Sequence, residues 1–208
     1  MADVVLVGGG GHARVLLRLV RVLGHVAVGY VAPEPSPAGM ALPWFGTDDD
    51  LASGVPGAPR VAVMAIGKNS INATRIAVFE RLSAAGLEFP ALSAPGAIVH
   101  EDVALGGGSV ILDGAIVVTG TRLGRACIVN TSASVDHDAL LGDDVHVAPG
   151  AVLCGGVHIG SGTLVGAGAT VIPGVRVAGR TVIAAGATVV RDIVEAGVYG
   201  GTPARRLR

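Results

Sequence analysis

The stretch TLVGAGATVIPGVRVAGRTVIAAG, residues 163–186, divides without remainder into TLVGAG, ATVIPG, VRVAGR and TVIAAG. Carried outward, the same frame runs from Ala97 to Asp192 as sixteen consecutive blocks. The third place is Val, Leu or Ile every time, from Val99 to Val189, and the first place is always Ala, Ser, Thr, Cys or Val. On a 50% apolar background, sixteen hits in one specified frame have a chance probability on the order of 10⁻⁵. An α-helix repeats every 3.6 residues and a plain strand every two. A period of six fits neither and is a signature of a parallel β-helix, in which short strands alternate with turns.

The residues before the repeat have a different grammar. An apolar run at 4–7 meets four glycines, then His12 and a helical pattern in which Arg14, Arg18 and Arg21 form one polar face opposite leucines and valines. Strand candidates follow at 25–31 and 60–67, with a Pro-rich connection and a weak helical turn near 47–52 between them, and a helix is expected from about Ser70 to Ala85. Alternating strands and helices imply a small parallel sheet. The expected fold is therefore α/β plus β: a small Rossmann-like βαβ domain at 1–92, then a β-helix domain at 93–208.

Composition narrows the partners. A net charge of −1 and 3% aromatic residues offer neither the basic surface a phosphate backbone requires nor platforms for base stacking, so nucleic acid is excluded. No stretch approaches the ~18 apolar residues of a membrane span, and the N-terminus lacks a basic segment before its short apolar run; a soluble cytoplasmic protein is expected. Cys127 and Cys154 have no CxxC spacing, so neither a zinc site nor a disulfide framework is indicated.

The hexads resemble those of the left-handed hexapeptide-repeat transferases. That resemblance implies a left-handed β-helix with three six-residue sides per 18-residue coil, the first and third places pointing inward, and here about five coils stacked ~4.8 Å apart. Phase then separates the polar residues. In SVDHDALLGDDVHV, residues 134–147, His137 stands at a fifth place and His146 at a second, so both are expected to face outward. An outward histidine is also what an inert surface residue looks like, and His158, a second-place histidine without acidic neighbours, is the internal comparison. Asp136 and Asp138 flank His137, and a carboxylate on one imidazole nitrogen leaves the other as a base. His137 and His146 are nine residues apart, half a coil, so a single site using both needs a neighbouring protomer. One coil beyond His137 lies Gly155.

The residues GGGGHA (8–13), AIGKN (65–69), NTSASVDHD (130–138), the histidine at +9 and GVYGGTPARRL (197–207) resemble the bacterial sugar acyltransferases, the group of sialic-acid O-acetyltransferases and bacillosamine or perosamine N-acetyltransferases. The resemblance implies His137 as general base assisted by Asp138, acetyl-CoA as co-substrate contacted by His146, Gly155, Ala167 and Ala185, no metal, and a homotrimer with sites between protomers. It also implies that Gly10, Gly11 and His12 grip the nucleotide of a nucleotide-linked amino sugar, with Asn69 on the same substrate. Taken alone, Gly8-x-Gly10-x-x-Ala13 reads as a dinucleotide fingerprint, yet only some 90 residues precede the repeat, room for one small sheet. Some uridine-binding relatives carry an acidic pair after the second strand, whereas this chain reads YVAPEP at 30–35; Glu34 as acceptor for the N1 and N2 hydrogens of guanine is then the expectation, favouring a GDP-sugar such as GDP-perosamine over a UDP-linked 4-amino sugar. A sugar O-acetyltransferase and a non-catalytic nucleotide-sugar-binding β-helix are the alternative readings.

Overall fold

The computed structural model describes residues 2–35 and 40–207; part of the Pro-rich connection, residues 36–39, lies outside the described residues. The chain divides into two compact units, Met1–Gly67 with Thr74–Pro90, and Lys68–Ala73 with Ala91–Arg208. The short excursion 68–73 into the second unit has no counterpart in a single boundary at 92/93.

The first unit holds β1 (Asp3–Val7), α1 (Gly11–Val22), β2 (Val26–Val31), α2 (Asp48–Ser53), β3 (Ala62–Met64) and α3 (Thr74–Ala84). Its three strands are parallel in the order β2-β1-β3. Val4, Val5, Leu6 and Val7 are all buried in the central strand, each worth roughly 1.5–3 kcal/mol of burial. The apolar stripe of α1, Ala13, Leu16, Leu17, Leu19 and Val20, is buried too, while Arg14, Arg18 and Arg21 are exposed. Thr47 and Asp50 form a capping box that starts α2. Helix α3 begins at Thr74, later than the expected Ser70, because residues 68–73 belong to the second unit.

The second unit is the expected left-handed parallel β-helix, with about six turns. Two-residue strands repeat on three faces. The first face starts at Leu92–Ser93, the second at Ile98–Val99 and the third at Ala104–Leu105. Each strand pairs with the one eighteen residues on, as Ser134 does with Val152 and Leu140 with His158. First and third places fill the interior: Ala133, Val135, Ala139, Val145, Val147, Ala151 and Leu153 are all buried. Two first-place hydroxyls return to the backbone, Ser109 Oγ donating to Gly124 O at 2.8 Å and Thr121 Oγ1 to Asp136 O at 2.9 Å, which satisfies their polarity inside an apolar core.

The solenoid is longer than the sixteen hexads at both ends. Residues 91–96 form a block with Ser93 at the third place, which hides it from an aliphatic pattern. Beyond Val189 the register contracts: Val182 pairs with Val198, sixteen residues on, and an antiparallel strand at Arg205–Arg206 closes the first face.

Candidate active site

His137 sits in the turn between the strands Ser134–Val135 and Leu140–Leu141, on the corner that joins the second and third faces. The turn is clamped to its neighbours by Asp138 N–H to Thr119 O at 3.0 Å and Gly156 N–H to His137 O at 2.8 Å. The imidazole is 55% exposed, and its Nδ1 lies 2.9 Å from Asp138 Oδ2. A carboxylate only accepts, so Nδ1 carries the proton and Nε2 is left with its lone pair. Asp136 Oδ1 accepts from the His137 backbone N–H at 2.8 Å. The Asp138 hydrogen bond first, then the charge of Asp136, raise the imidazole's pKa above the ordinary histidine value, against a smaller opposing effect of desolvation.

Glycine makes room for this dyad on both sides. A Cβ at Gly155 would stand 2.6 Å from His137 Cε1 and 3.0 Å from Cδ2, and closer still to Nε2. One coil before, a Cβ at Gly120 would run into the carboxylate of Asp138. The Gly120 turn is itself held by Asp102, whose Oδ2 accepts from Thr119 Oγ1 at 2.6 Å and Gly120 N–H at 2.9 Å. Those hydrogen bonds keep the Asp102 carboxyl below its usual range.

His146 departs from expectation. It leaves the solenoid core on the first face, as its second-place phase requires, yet it is only 9% exposed. Residues 68–73 are the reason: Nδ1 donates to Lys68 O at 2.7 Å, which leaves Nε2 to accept from Asn130 Nδ2 at 3.1 Å. Asn130 Oδ1 in turn accepts from Thr131 N–H at 2.8 Å. Beside this chain Lys68 Nζ meets Asp144 Oδ2 at 2.6 Å, with the two side chains 2% and 3% exposed. Asn69, next along, is exposed. His158 is half-buried and lines a groove of about 580 Å³ on the third face with Leu140, Arg176 and Val194.

Ala167 and Ala185 are exposed and stack one coil apart, Gly186 N–H donating to Ala167 O at 2.9 Å. They lie on the corner between the first and second faces, so one chain does not bring them to the corner of His137 and Gly155. In the second unit His137, Asp138 and Gly155 thus share one corner, Ala167 and Ala185 share another, and His146 with Asn130 lies on the first face.

In the first unit, Gly8 has φ +126° and a Cβ there would stand 2.7 Å from the Ala65 carbonyl, so only glycine lets β1 turn beside β3. Gly10 caps α1 with open space where a side chain would be, and Gly11 is exposed. His12 is half-buried, its Cβ 3.3 Å from the position of a Cβ on Gly67. Glu34 is exposed just past the end of β2, where Trp44 Nε1 donates to Ala32 O at 3.1 Å. Among the described residues no group of three or more His, Cys, Asp or Glu is arranged to hold a metal, and no helix is long and apolar enough to cross a membrane. Both cysteines are free thiols.

The PglD N-terminal domain family matches residues 3–82. The acetyltransferase domain of PglB from Neisseria gonorrhoeae, in complex with acetyl coenzyme A, is 33% identical with a TM-score of 0.90, covering 99% of this chain and 98% of that one. This chain belongs to the hexapeptide-repeat sugar acyltransferases. The acetyltransferase has a second close likeness in a variant of perosamine N-acetyltransferase from Caulobacter crescentus in complex with CoA and GDP-perosamine, 32% identical, TM-score 0.90, covering 99% and 97%. WeeI from Acinetobacter baumannii, 21% identical over the full length of both chains with a TM-score of 0.86, shares the fold. No curated protein matches the sequence. The acetyltransferase also has polar residues that the repeat pattern did not single out: Lys68, Asn130, Asp144 and Asp102. Of these Asp102 and Asp144 leave a trace in the repeat, each as an acid at a sixth place that glycine usually fills, while Lys68 and Asn130 fall within the quoted motifs at 65–69 and 130–138.

Proposed function

We propose that this acetyltransferase moves the acetyl group of acetyl-CoA to the amino group of a nucleotide-diphosphate-linked amino sugar, of the GDP-perosamine or UDP-4-amino-sugar type, with His137 as general base. The observation that carries this reading is the His137–Asp138 pair: a proton fixed on Nδ1, an exposed ring, and a glycine beneath it that leaves Nε2 unobstructed. An amine attacks only as its neutral form, and the N–H proton must leave as the new bond forms. The sugar nitrogen adds to the thioester carbonyl, Nε2 takes the proton, and a backbone N–H stabilises the oxyanion. Collapse breaks the C–S bond, and the imidazolium returns the proton to the departing CoA thiolate. Asp138 holds the ring and stabilises its charged form throughout.

The nucleotide end is assigned to Gly10, Gly11 and His12, where amides at the start of the twelve-residue helix α1 suit a diphosphate. Glu34 is the acceptor for a guanine edge, and the similarity to an enzyme solved with GDP-perosamine supports the GDP-linked choice. Asn69 pairs with the sugar. On the cofactor side stand Gly155, Ala167 and Ala185. His146, with both ring nitrogens engaged, has only its carbon edge to offer acetyl-CoA. Because His137 and His146 leave different sides of one coil, the working unit is a homotrimer in which one protomer's His137 corner is completed by His146, Ala167 and Ala185 of the next.

The test is thiol release from acetyl-CoA across a panel of GDP- and UDP-linked 4-amino sugars, with sialic acid as the hydroxyl acceptor. A GDP-linked amino sugar gives the highest kcat/KM and an acetamido product. Preference for sialic acid, or no thiol release with any member, overturns the reading.

A further inference from the structure

The reaction described above makes no use of the Lys68–Asp144 pair, although it is an ion pair with both side chains almost fully buried. Such a pair is a poor source of stability, because two charges must be taken out of water. Asp144 also sits at φ +55°, in the left-handed region that sixth places usually fill with glycine. Ala126, Ser132, Asp138 and Arg180 share that conformation, so it is the buried pair that calls for a compensating role.

The geometry indicates what that role is. The side chain of Lys68 is held by Asp144 at 2.6 Å, and its carbonyl by His146 Nδ1 at 2.7 Å. Nζ and the carbonyl oxygen of one residue are thus fixed by two neighbours on the same coil, Asp144 in the turn and His146 in the strand that follows it. His146 is in turn braced by Asn130 at 3.1 Å, from the coil before. The orientation of the peptide that joins Lys68 to Asn69 is set by this arrangement. The Asn69 amide emerges exposed from a backbone that is pinned directly behind it. An amide that offers both donors and an acceptor suits sugar hydroxyls, and holding it in advance reduces the ordering cost of binding.

We infer that Lys68 and Asp144 are positioning residues that present Asn69 to the acceptor sugar, with His146 steadying them through the Lys68 carbonyl. The inference rests on the acetyltransferase reading given above. Segment 68–73 is a preset arm of the acceptor site, and its latch lies wholly within the solenoid unit.

The experiment uses the full-length oligomer with acetyl-CoA and the best amino sugar of the panel. Lys68→Met, Asp144→Asn and Lys68→Arg are compared for both KM values, kcat, its pH profile, and amide hydrogen exchange over 69–73. Lys68→Met and Asp144→Asn raise the sugar KM tenfold or more and speed exchange at 69–73. Their kcat and acetyl-CoA KM stay within threefold and the pH profile does not move. Lys68→Arg, which keeps the charge and the carbonyl, brings the sugar KM back to within threefold of wild type. An unchanged sugar KM, or a rise in the acetyl-CoA KM instead, overturns the inference while leaving the acetyltransferase reading intact; a wild type without transfer to any amino sugar overturns both. Should a single charge left buried prevent folding, the double variant Lys68→Met/Asp144→Leu removes both charges and is held to the same KM criterion. Failure of that variant to fold would make the pair a folding element and refute its positioning role.

Discussion

Gly155 and Gly156 are adjacent in sequence, and both are predicted to resist alanine for opposite reasons. At Gly155 the backbone is open to any residue, but an added Cβ would lie 2.6 Å from His137 Cε1 and 3.0 Å from Cδ2. Carbon atoms rest about 3.5–4.0 Å apart, so the ring must retreat by about 1 Å and tilt away from Asp138. A displacement of that size costs on the order of 10²-fold in rate, or about 2.7 kcal/mol of transition-state stabilisation at 1.36 kcal/mol per factor of ten. At Gly156 nothing lies within 4 Å of an added Cβ, but φ is +68°, which costs an L-residue roughly 1–2 kcal/mol. Gly155→Ala therefore loses about a hundredfold in kcat/KM with its urea midpoint little changed. Gly156→Ala loses stability, lowering Tm by roughly 2–8 °C, and keeps its turnover. Thiol release and urea or thermal unfolding on both variants decide the matter. Full activity in Gly155→Ala would refute the placement of the imidazole over this glycine, and with it the geometry assigned to the base.

Three further outcomes follow from named contacts. His137 must be unprotonated to act, so kcat/KM falls as pH drops through its raised pKa; Asp138→Asn removes the leading cause of that elevation, moving the acid limb to lower pH and lowering the plateau. A pH–rate profile with an unmoved limb would dismiss Asp138 as the partner. Lys68→Met removes the buried cation that meets the Asp144 carboxylate, at a cost of roughly 3–5 kcal/mol, and Lys68→Met/Asp144→Leu is less destabilised than the single variant; urea titrations read both. Sedimentation velocity at micromolar concentration gives a trimer, and a monomer at that concentration would remove the shared-site arrangement.

The parts of this molecule that repeat were the parts its sequence revealed. The aliphatic third place fixes which residues enter the core, and Val135, Leu141 and Val147 are buried as that frame requires. The frame fails where the register itself changes. Ser93 at a third place conceals the first strand, and the sixteen-residue step from Val182 to Val198 conceals the last turn. Phase also placed His137 outward, and it is the structure that puts Asp138, not Asp136, on its Nδ1. It gave the right direction for His146 and the wrong environment, because phase states which way a side chain leaves the solenoid and not what lies over it. What lies over it is Lys68, seventy-eight residues earlier in sequence, and no local pattern encodes a contact of that range. The N-terminal glycines were legible for a related reason: the requirement that Gly8 turn tightly beside Ala65 is a backbone requirement, and glycine is its only answer.

In the proposed reaction the imidazole of His137, backed by Asp138, takes the proton from the attacking amine. Turnover of His137→Ala with acetyl-CoA and a GDP-linked amino sugar tests it most directly, measured on material with the wild-type sedimentation coefficient. A loss of roughly 10²–10⁴ in kcat is expected with both KM values close to wild type; turnover near the wild-type rate would remove His137 from the role of base.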